Sequence, residues 1–415
     1  MDVEAVVTRV EAKLERSDCE VCGNVARFCK LTRCPFYRPL LKGLVSVTPA
    51  PGGSIFGPTP PALLVGEKGY PRVVTGPAVS AAPELLLGPD PKEWLKKPME
   101  ELLASRLSLI LGRRRVDVRR PLSDRTVQEL LEAELSERPV DIEMTYEGSV
   151  VHRPGFFARS MPHGPSVRLR STRVVGNPRI PRHVEEVMEE GMRAEEAVVM
   201  LSERGLDSYY VTRVFSIGAL GSPARRRMVP TEWSITAVDD ILARPLIRRI
   251  KRYPLLNEIR LHSYSALRNA AHVLLLPTAW MFELLEGWLR FPEDSPYADH
   301  EFHFGRRDYA ENTGGAYYAV RLAVLRHLES ERRQAGAIVF FEVGREWIPL
   351  GVWRFREITS MALIQRPKRF QSLQEALEHI NTRTSVPLQK YIAESSLIKL
   401  LLSQRTVNGN ETLIF

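Results

Sequence analysis

The chain has 415 residues, 44% of them apolar and 26% charged, an ordinary globular balance that excludes a disordered, collagen-like or fibrous chain. Its 11 lysines and 47 arginines outnumber the 50 acids, for a formal charge of +8 and a pI near 9.3. No apolar run approaches the ~18 residues of a membrane span, and MDVEAVVTRVEAKLER has no apolar signal core, so a soluble, intracellular protein is expected. At ~150 residues per domain the length fits two or three domains.

Residues 1–45 read as a helical start followed by a cysteine cluster. All four cysteines, Cys19, Cys22, Cys29 and Cys34, fall in a C-x2-C-x6-C-x4-C pattern. A reducing interior does not sustain disulfides, so a metal is the physical alternative. Four thiolates at this spacing can close a tetrahedral structural Zn2+ site. An iron–sulfur cluster is the main competitor, because Pro35 follows Cys34.

Residues 46–91 are rich in Gly and Pro with short apolar runs, a pattern of short strands joined by tight turns. Helical periodicity returns over 92–136, where Ser123 and Asp124 precede Val127, Leu130 and Leu131 as a capped amphipathic helix. Residues 148–184 carry no acid, but do carry seven arginines, including Arg153, Arg159, Arg168, Arg170 and Arg173, with Phe156 and Phe157. Arginine pairs bidentately with phosphate and aromatic rings stack on unpaired bases, so this loop-rich segment is the best candidate for binding nucleic acid. The competing reading pairs these arginines with acids such as Glu185, Glu186 and Glu189. Further basic clusters lie at Arg225–Arg227 and at Arg248, Arg249, Lys251 and Arg252.

From Val184 onward helices alternate with strand-like runs, AIVFFEV at 337–343 and LGVWRF at 350–355. The expected class is therefore α+β (mixed α/β), a two-domain core with an N-terminal four-cysteine zinc module. Asp239 and Asp240 follow an apolar run, and Glu283 and Glu286 sit three apart on MFELLEGW, read as a helix. Asp308, Tyr309, Glu342, Arg345 and Glu346 flank strand-like runs. Converging carboxylates among these would hold divalent metals or act as acid and base, while Tyr309, Tyr317 and Arg321 would frame a nucleotide pocket. The alternative is that these acids pair with arginines in buried networks. P-loop, zincin, nucleophile-elbow and Rossmann motifs are missing. Leu388, Ile392, Leu397 and Leu401 mark an amphipathic helix before a polar tail.

Several stretches resemble the archaeal Nre DNA repair proteins. GPTPPALLVGEKGYPRVVTGP (57–77), DPKEWLKKPMEELLASRLSLILG (90–112) and MPHGPSV (161–167) resemble the N-terminal domain of that family. RRRMVPTEWSITAVDDILA (225–243), LLLPTAWMFELLEGW (274–288), GGAYYAVRLAVLRHL (314–328) and PLGVWRFRE (349–357) resemble its C-terminal domain. The resemblance implies a cytoplasmic, nucleoid-associated repair factor that binds DNA, with a four-cysteine metal module and a C-terminal peptide for the sliding clamp (PCNA). The implied layout is a metal module at 1–45, an N-terminal domain at 46–225, a C-terminal domain at 226–395 and a tail at 396–415. In that tail Gln404 and Val407 match a clamp peptide, but Asn410 and Glu411 stand where bulky apolar residues belong. Leu413, Ile414 and Phe415 follow about four residues late. The alternative function, from another class, is an enzyme acting on nucleic acid or a nucleotide through the carboxylates between 239 and 346.

Overall fold

The structure, a computed structural model, describes residues 52–60, 64–80, 82–151, 164–289, 295–345 and 350–403. These form two compact units, one reaching to Ile241 and the other beginning at Leu242. Both are mixed α and β, in agreement with the expected class; the cysteines lie outside the described residues.

The first unit is built on β1 (Gly53–Thr59), β2 (Leu64–Val65), β3 (Arg72–Gly76), β4 (Ala78–Ser80), β5 (Leu109–Asp117), β6 (Val140–Val151) and β7 (Ser166–Val175). The sheet order is β1-β6-β7-β5-β3-β2, with β4 also paired to β5. Only the β5–β7 pairing is parallel among these. Strand residues alternate between faces, so Ile142, Met144 and Tyr146 of β6 join Val167 and Leu169 of β7 in one core cluster, with Val79, Ile110 and Ala133. Helices α1 (Pro91–Trp94), α2 (Met99–Leu107) and α3 (Arg125–Leu135) lie between strands, and α4 (Arg182–Glu190), α5 (Ala194–Glu203) and α6 (Ser208–Ser216) follow. The expected cap of α3 is present: the Asp124 carboxylate accepts the Thr126 N–H at 2.9 Å and Val127 and Leu130 are buried. The short strands expected between 46 and 91 are likewise present.

Two parts of the sequence reading need correction here. The supposedly helical 92–136 contains β5, because the buried run Leu109–Leu111 continues into Gly-Arg-Arg-Arg-Val with strand alternation. The supposedly loop-rich 148–184 contains β7, whose Val-Arg-Leu-Arg pattern has a period of two.

Helix α7 (Thr231–Ile250) spans the boundary between the units. The second unit has a six-stranded sheet of β8 (Ile259–Ala266), β9 (Asn269–Leu276), β10 (Phe282–Trp288), β11 (Tyr297–Glu301), β12 (Gly336–Val343) and β13 (Lys368–Phe370), in the order β11-β10-β12-β9-β8-β13. Its helices are α8 (Gly315–Glu331), α9 (Trp353–Leu363), α10 (Leu373–Asn381), α11 (Leu388–Glu394) and α12 (Ser396–Ser403). Leu285, Ile338 and Phe340 pack with Leu377, Tyr391 and Leu397, so α10–α12 cover one face. Residues of opposite parity meet the other helices: Phe282 contacts Tyr317 of α8 edge-on at 5.1 Å, and Phe341 stacks on Phe355 of α9 at 4.2 Å. Covered on both sides, β12 is buried at all eight positions, with about 1.5–3 kcal/mol gained per large apolar side chain removed from water.

Three further expectations change. MFELLEGW is strand β10 rather than a helix, because a strand buried on both faces is continuously apolar and has no period to read. LGVWRF leads into α9 instead of forming a strand. The C-terminal amphipathic stretch is two helices, broken at Ser395.

Candidate nucleic-acid interface

Of the acid-free segment, Arg153 and Arg159 lie outside the described residues, whereas Arg168, Arg170 and Arg173 stand on β7. All three are exposed, while Leu169 and Thr172 turn into the core. A register shift places Arg170 as an extra residue between Leu169, opposite Tyr146, and Ser171, opposite Thr145; such a bulge leaves its residue outside the regular pairing. Next to β7, strand β5 exposes Arg113 and Arg115 and turns Arg114 inward, where its Nε donates to Asp124 at 2.9 Å. Arg113 is the direct parallel partner of Arg168. Two like charges side by side repel, and an anion across them relieves that repulsion.

Two of these arginines already have neighbours. Arg168 pairs with Glu147 at 3.0 Å and Arg173 with Glu143 at 2.7 Å, both across to β6. Of the partners expected on α4, Glu186 does pair with an arginine of the segment, Arg182, at 2.8 Å, and with His183 at 3.2 Å, but none of these acids reaches the β7 arginines. Exposed pairs of this kind are worth about 0–1 kcal/mol, so phosphate can displace them. Arg113, Arg115 and Arg170 make no ion pair among the described residues. The other basic clusters are more committed. Arg226 donates to the carbonyls of Gly221 and Met188, and Arg249 pairs with Glu329 at 2.7 Å.

The run Gly-Arg-Arg-Arg at 112–115 lies in the stretch whose periodicity reads as helical, so spacing alone does not mark it as a basic strand face.

The candidate catalytic acids do not converge. With β10 a strand, Glu283 and Glu286 point to opposite faces. Glu283 receives the Ser395 hydroxyl, the Ser396 N–H at 2.7 Å and the Leu397 N–H, which caps α12. Burial pushes its pKa up to about 7 despite these donors. On that same face Glu342 accepts the Ser385 and Val386 N–H groups, each at 2.8 Å, and the Tyr391 hydroxyl at 3.3 Å; burial raises its pKa as well.

On the α8–α9 face a different group assembles. Glu301 accepts Trp280 Nε1 at 2.8 Å and an Arg321 guanidinium N–H at 2.7 Å. Tyr317 lies between the guanidinium groups of Arg306 and Arg321, 5.6 and 5.3 Å from its ring centre, and burial holds its hydroxyl well above the usual phenol range. Asp299 accepts the Thr313 N–H at 2.7 Å and hydroxyl at 2.9 Å, and pairs with Arg306 at 2.9 Å. Glu286 is raised to about 8 by burial, against the pull of Arg354, which burial lowers to about 10. These acids are compensated by arginines in a closed interior, the arrangement of a structural ion network. Elsewhere, Asp239 is wholly buried on α7 with Asp240 half-buried beside it. Tyr309 is exposed and stacks on Tyr318 at 5.6 Å, and the Asp308 carbonyl accepts from Arg306 at 2.8 Å. Arg345 ends a described stretch, and Glu346 lies outside it.

Among the described residues no group of three or more His, Cys, Asp or Glu is placed to hold a metal ion, and no helix is long and apolar enough to cross a membrane. Cys19, Cys22, Cys29 and Cys34, and the tail residues Gln404, Val407, Leu413, Ile414 and Phe415, lie outside the described residues.

Comparison with known proteins matches a family model, "Archaeal Nre, N-terminal", to residues 28–292 and another, "Archaeal Nre, C-terminal", to residues 301–409. The chain is 34% identical over 391 residues to the DNA repair protein NreB of Archaeoglobus fulgidus, covering 92% of this chain and 97% of that protein. It is 36% identical over 338 residues to the DNA repair protein NreA of the same organism, covering 79% and 85%. To the DNA repair protein NreA of Haloferax volcanii it is 34% identical over 324 residues, covering 74% and 77%. No solved structure matches.

Proposed function

The chain belongs to the archaeal Nre family, and from that premise we propose that it is a DNA repair factor that grips DNA through the outer face of its first sheet. The observation that carries the reading is the arginine row of Arg113, Arg115, Arg168, Arg170 and Arg173 on neighbouring strands. A planar guanidinium matches phosphate oxygens bidentately. Each phosphate neutralised releases condensed counterions, so affinity comes mainly from the backbone and falls with salt. The strands fix the arginine spacing before DNA arrives, which lowers the ordering cost of binding. The name carried by the three relatives, DNA repair protein, supports the same role.

Two parts of the proposal rest on sequence. Cys19, Cys22, Cys29 and Cys34 offer four thiolates, the donor set of a closed structural Zn2+ site, whose contribution is to fold its module rather than to catalyse. Metal analysis of the purified chain is expected to give one zinc per chain, lost in Cys22→Ser; iron with visible absorption makes it an iron–sulfur module instead. The tail, Gln404, Val407, Leu413, Ile414 and Phe415, would bind the sliding clamp (PCNA), and truncation after Ser403 would abolish that association. A repair factor of this kind works in the cytoplasm at the nucleoid.

The test of the central reading is anisotropy of labelled single-stranded, duplex and forked DNA with the wild-type chain and with Arg113→Glu/Arg115→Glu/Arg170→Glu. Binding that weakens steeply with salt, leaves the DNA intact and is weakened at least ten-fold in the triple variant supports the reading. Wild-type affinity in the variant overturns it. Cleavage or modification of the DNA that disappears in Glu286→Gln, with folding retained, makes the protein an enzyme.

A further inference from the structure

Of its described residues, the first unit leaves several large apolar side chains in water, Phe56, Leu64 and Leu85 among them, but only two of its exposed rings lie against each other. Tyr70 is 47% and Trp233 46% exposed, and their rings lie against each other with centres 5.3 Å apart at 43°. Fully buried aromatic side chains remove 150–250 Å² from water, so this pair leaves on the order of 100 Å² of apolar ring per residue exposed. Both residues lie in stretches that carry the family resemblance, but neither is a candidate site residue there.

The backbone under both rings is fixed. Tyr70 sits in a tight turn: its N–H donates to the Glu67 carbonyl at 3.2 Å, and the Arg72 N–H returns to Gly69 at 2.9 Å. Gly69 has φ 84°, the left-handed region that glycine enters without strain. Trp233 is in the first turn of α7, which is tied to β2 because the Thr231 hydroxyl accepts the Val65 N–H at 2.8 Å. The pair is therefore presented from hydrogen-bonded backbone on both sides.

Its position relative to the arginines follows from the chain, because the turn that carries Tyr70 leads directly into β3. Arg72, two residues after Tyr70, is paired with Asp117 of β5, and Val74 with Arg115. Positions two apart share a face, so Arg72, Arg115 and Arg113 lie along one exposed face, continued across to Arg168. The carboxylate at this end is not free to repel an anion. Asp117 is held by Arg119 through two contacts, at 3.0 and 2.7 Å. Four residues separate the levels of Arg72 and Arg113, about 13 Å along the strands, a reach of a few nucleotides.

We propose that Tyr70 and Trp233 form a stacking platform for an unpaired base of a single DNA strand whose phosphates run along Arg72, Arg115, Arg113 and Arg168. In a duplex the base faces are already stacked on their neighbours and offer the rings nothing; in a single strand they are free. The platform therefore makes the arginine face select single-stranded over duplex DNA. This inference rests on the DNA-binding reading above and adds the form of DNA that is recognised.

The experiment uses the full chain and two labelled probes, a thymidine oligonucleotide and a blunt duplex. A second copy of the thymidine oligonucleotide carries 5-iododeoxyuridine for photocrosslinking. Trp233→Ala and Tyr70→Ala are each expected to weaken the single strand about ten-fold, with duplex affinity unchanged and Trp233→Phe close to wild type. Crosslinks are expected to map to Tyr70 or Trp233. Both side chains are half in water, so the alanine variants should fold, and an unchanged thermal unfolding midpoint verifies that. Wild-type single-strand affinity in both alanine variants, or crosslinks mapping elsewhere, overturns the platform; if Arg113→Glu/Arg115→Glu still weakens binding at least ten-fold, the DNA-binding reading survives alone. A wild-type chain that binds neither probe overturns both.

Discussion

On the outer face of the first sheet, Arg113, Arg115 and Arg170 stand in water on fixed strands, while in the second unit Arg321 and Arg354 are almost fully buried beside Glu301 and Glu286. The same side chain does opposite work in the two places. A buried guanidinium must be matched on site, because removing one partner leaves a charge that the interior cannot solvate. An exposed one carries little stability and stays available to an outside anion. An arginine-rich sequence therefore does not name its binding surface; burial and pairing sort the arginines that hold the fold from those that face a ligand.

The largest effect that sharpens this contrast should come from the buried side. Arg321→Met strands the Glu301 carboxylate, and urea unfolding is expected to show a loss of about 3–5 kcal/mol. A loss below 1 kcal/mol would place Arg321 with the surface arginines. On the exposed side, Arg113→Glu/Arg115→Glu should cost at least ten-fold in DNA affinity yet change stability by no more than about 0.5 kcal/mol, measured by anisotropy and urea unfolding of the same samples.

The pH dependence separates the two regions as well. The Glu286 carboxyl titrates at about 8 in the folded chain because it is buried, against about 4.3 when unfolded. The folded state therefore holds this proton more tightly than the unfolded one. Its stabilising contribution is complete below about pH 4 and is lost as pH rises through about 8. Stability of the wild type is expected to fall more steeply than that of Glu286→Gln between pH 5 and 8; identical slopes would remove Glu286 from the buried network. The smallest effect belongs to a surface pair. A double-mutant cycle on Arg173 and Glu143, 2.7 Å apart, should return a coupling below about 1 kcal/mol.

In the first sheet only the short strands were legible; the three longest, β5, β6 and β7, were not. The Gly- and Pro-rich stretch announced short strands, and Asp124 announced the start of α3. The second sheet was legible only where an apolar run was β-branched and aromatic, as in β12. MFELLEGW failed because a doubly covered strand loses its alternation, and the spacing of Glu283 and Glu286 matches one helical turn. That single misreading made two acids look like one site, whereas the strand sends one to cap α12 and the other to Arg354. For the arginines the reverse happened. Arg168, Arg170 and Arg173 were singled out for lacking acids nearby in sequence, but Glu143 and Glu147 reach two of them across the strands. Arg113 and Arg115 were overlooked, since only the β5–β7 register sets them beside Arg168. Pairing across a sheet is a long-range fact that one-dimensional spacing does not carry.

The most direct test of the central claim is the salt dependence of duplex binding by the wild type and by Arg113→Glu/Arg115→Glu/Arg170→Glu, with Arg244→Glu/Arg248→Glu/Arg252→Glu as a reversal of equal charge elsewhere. If the outer face of the first sheet holds the phosphates, the plot of log affinity against log salt loses about 0.9 in slope for each contact removed, and the control keeps the wild-type slope. If both triple variants lose slope equally, the chain binds through its overall charge and the arginine face has no special part in it.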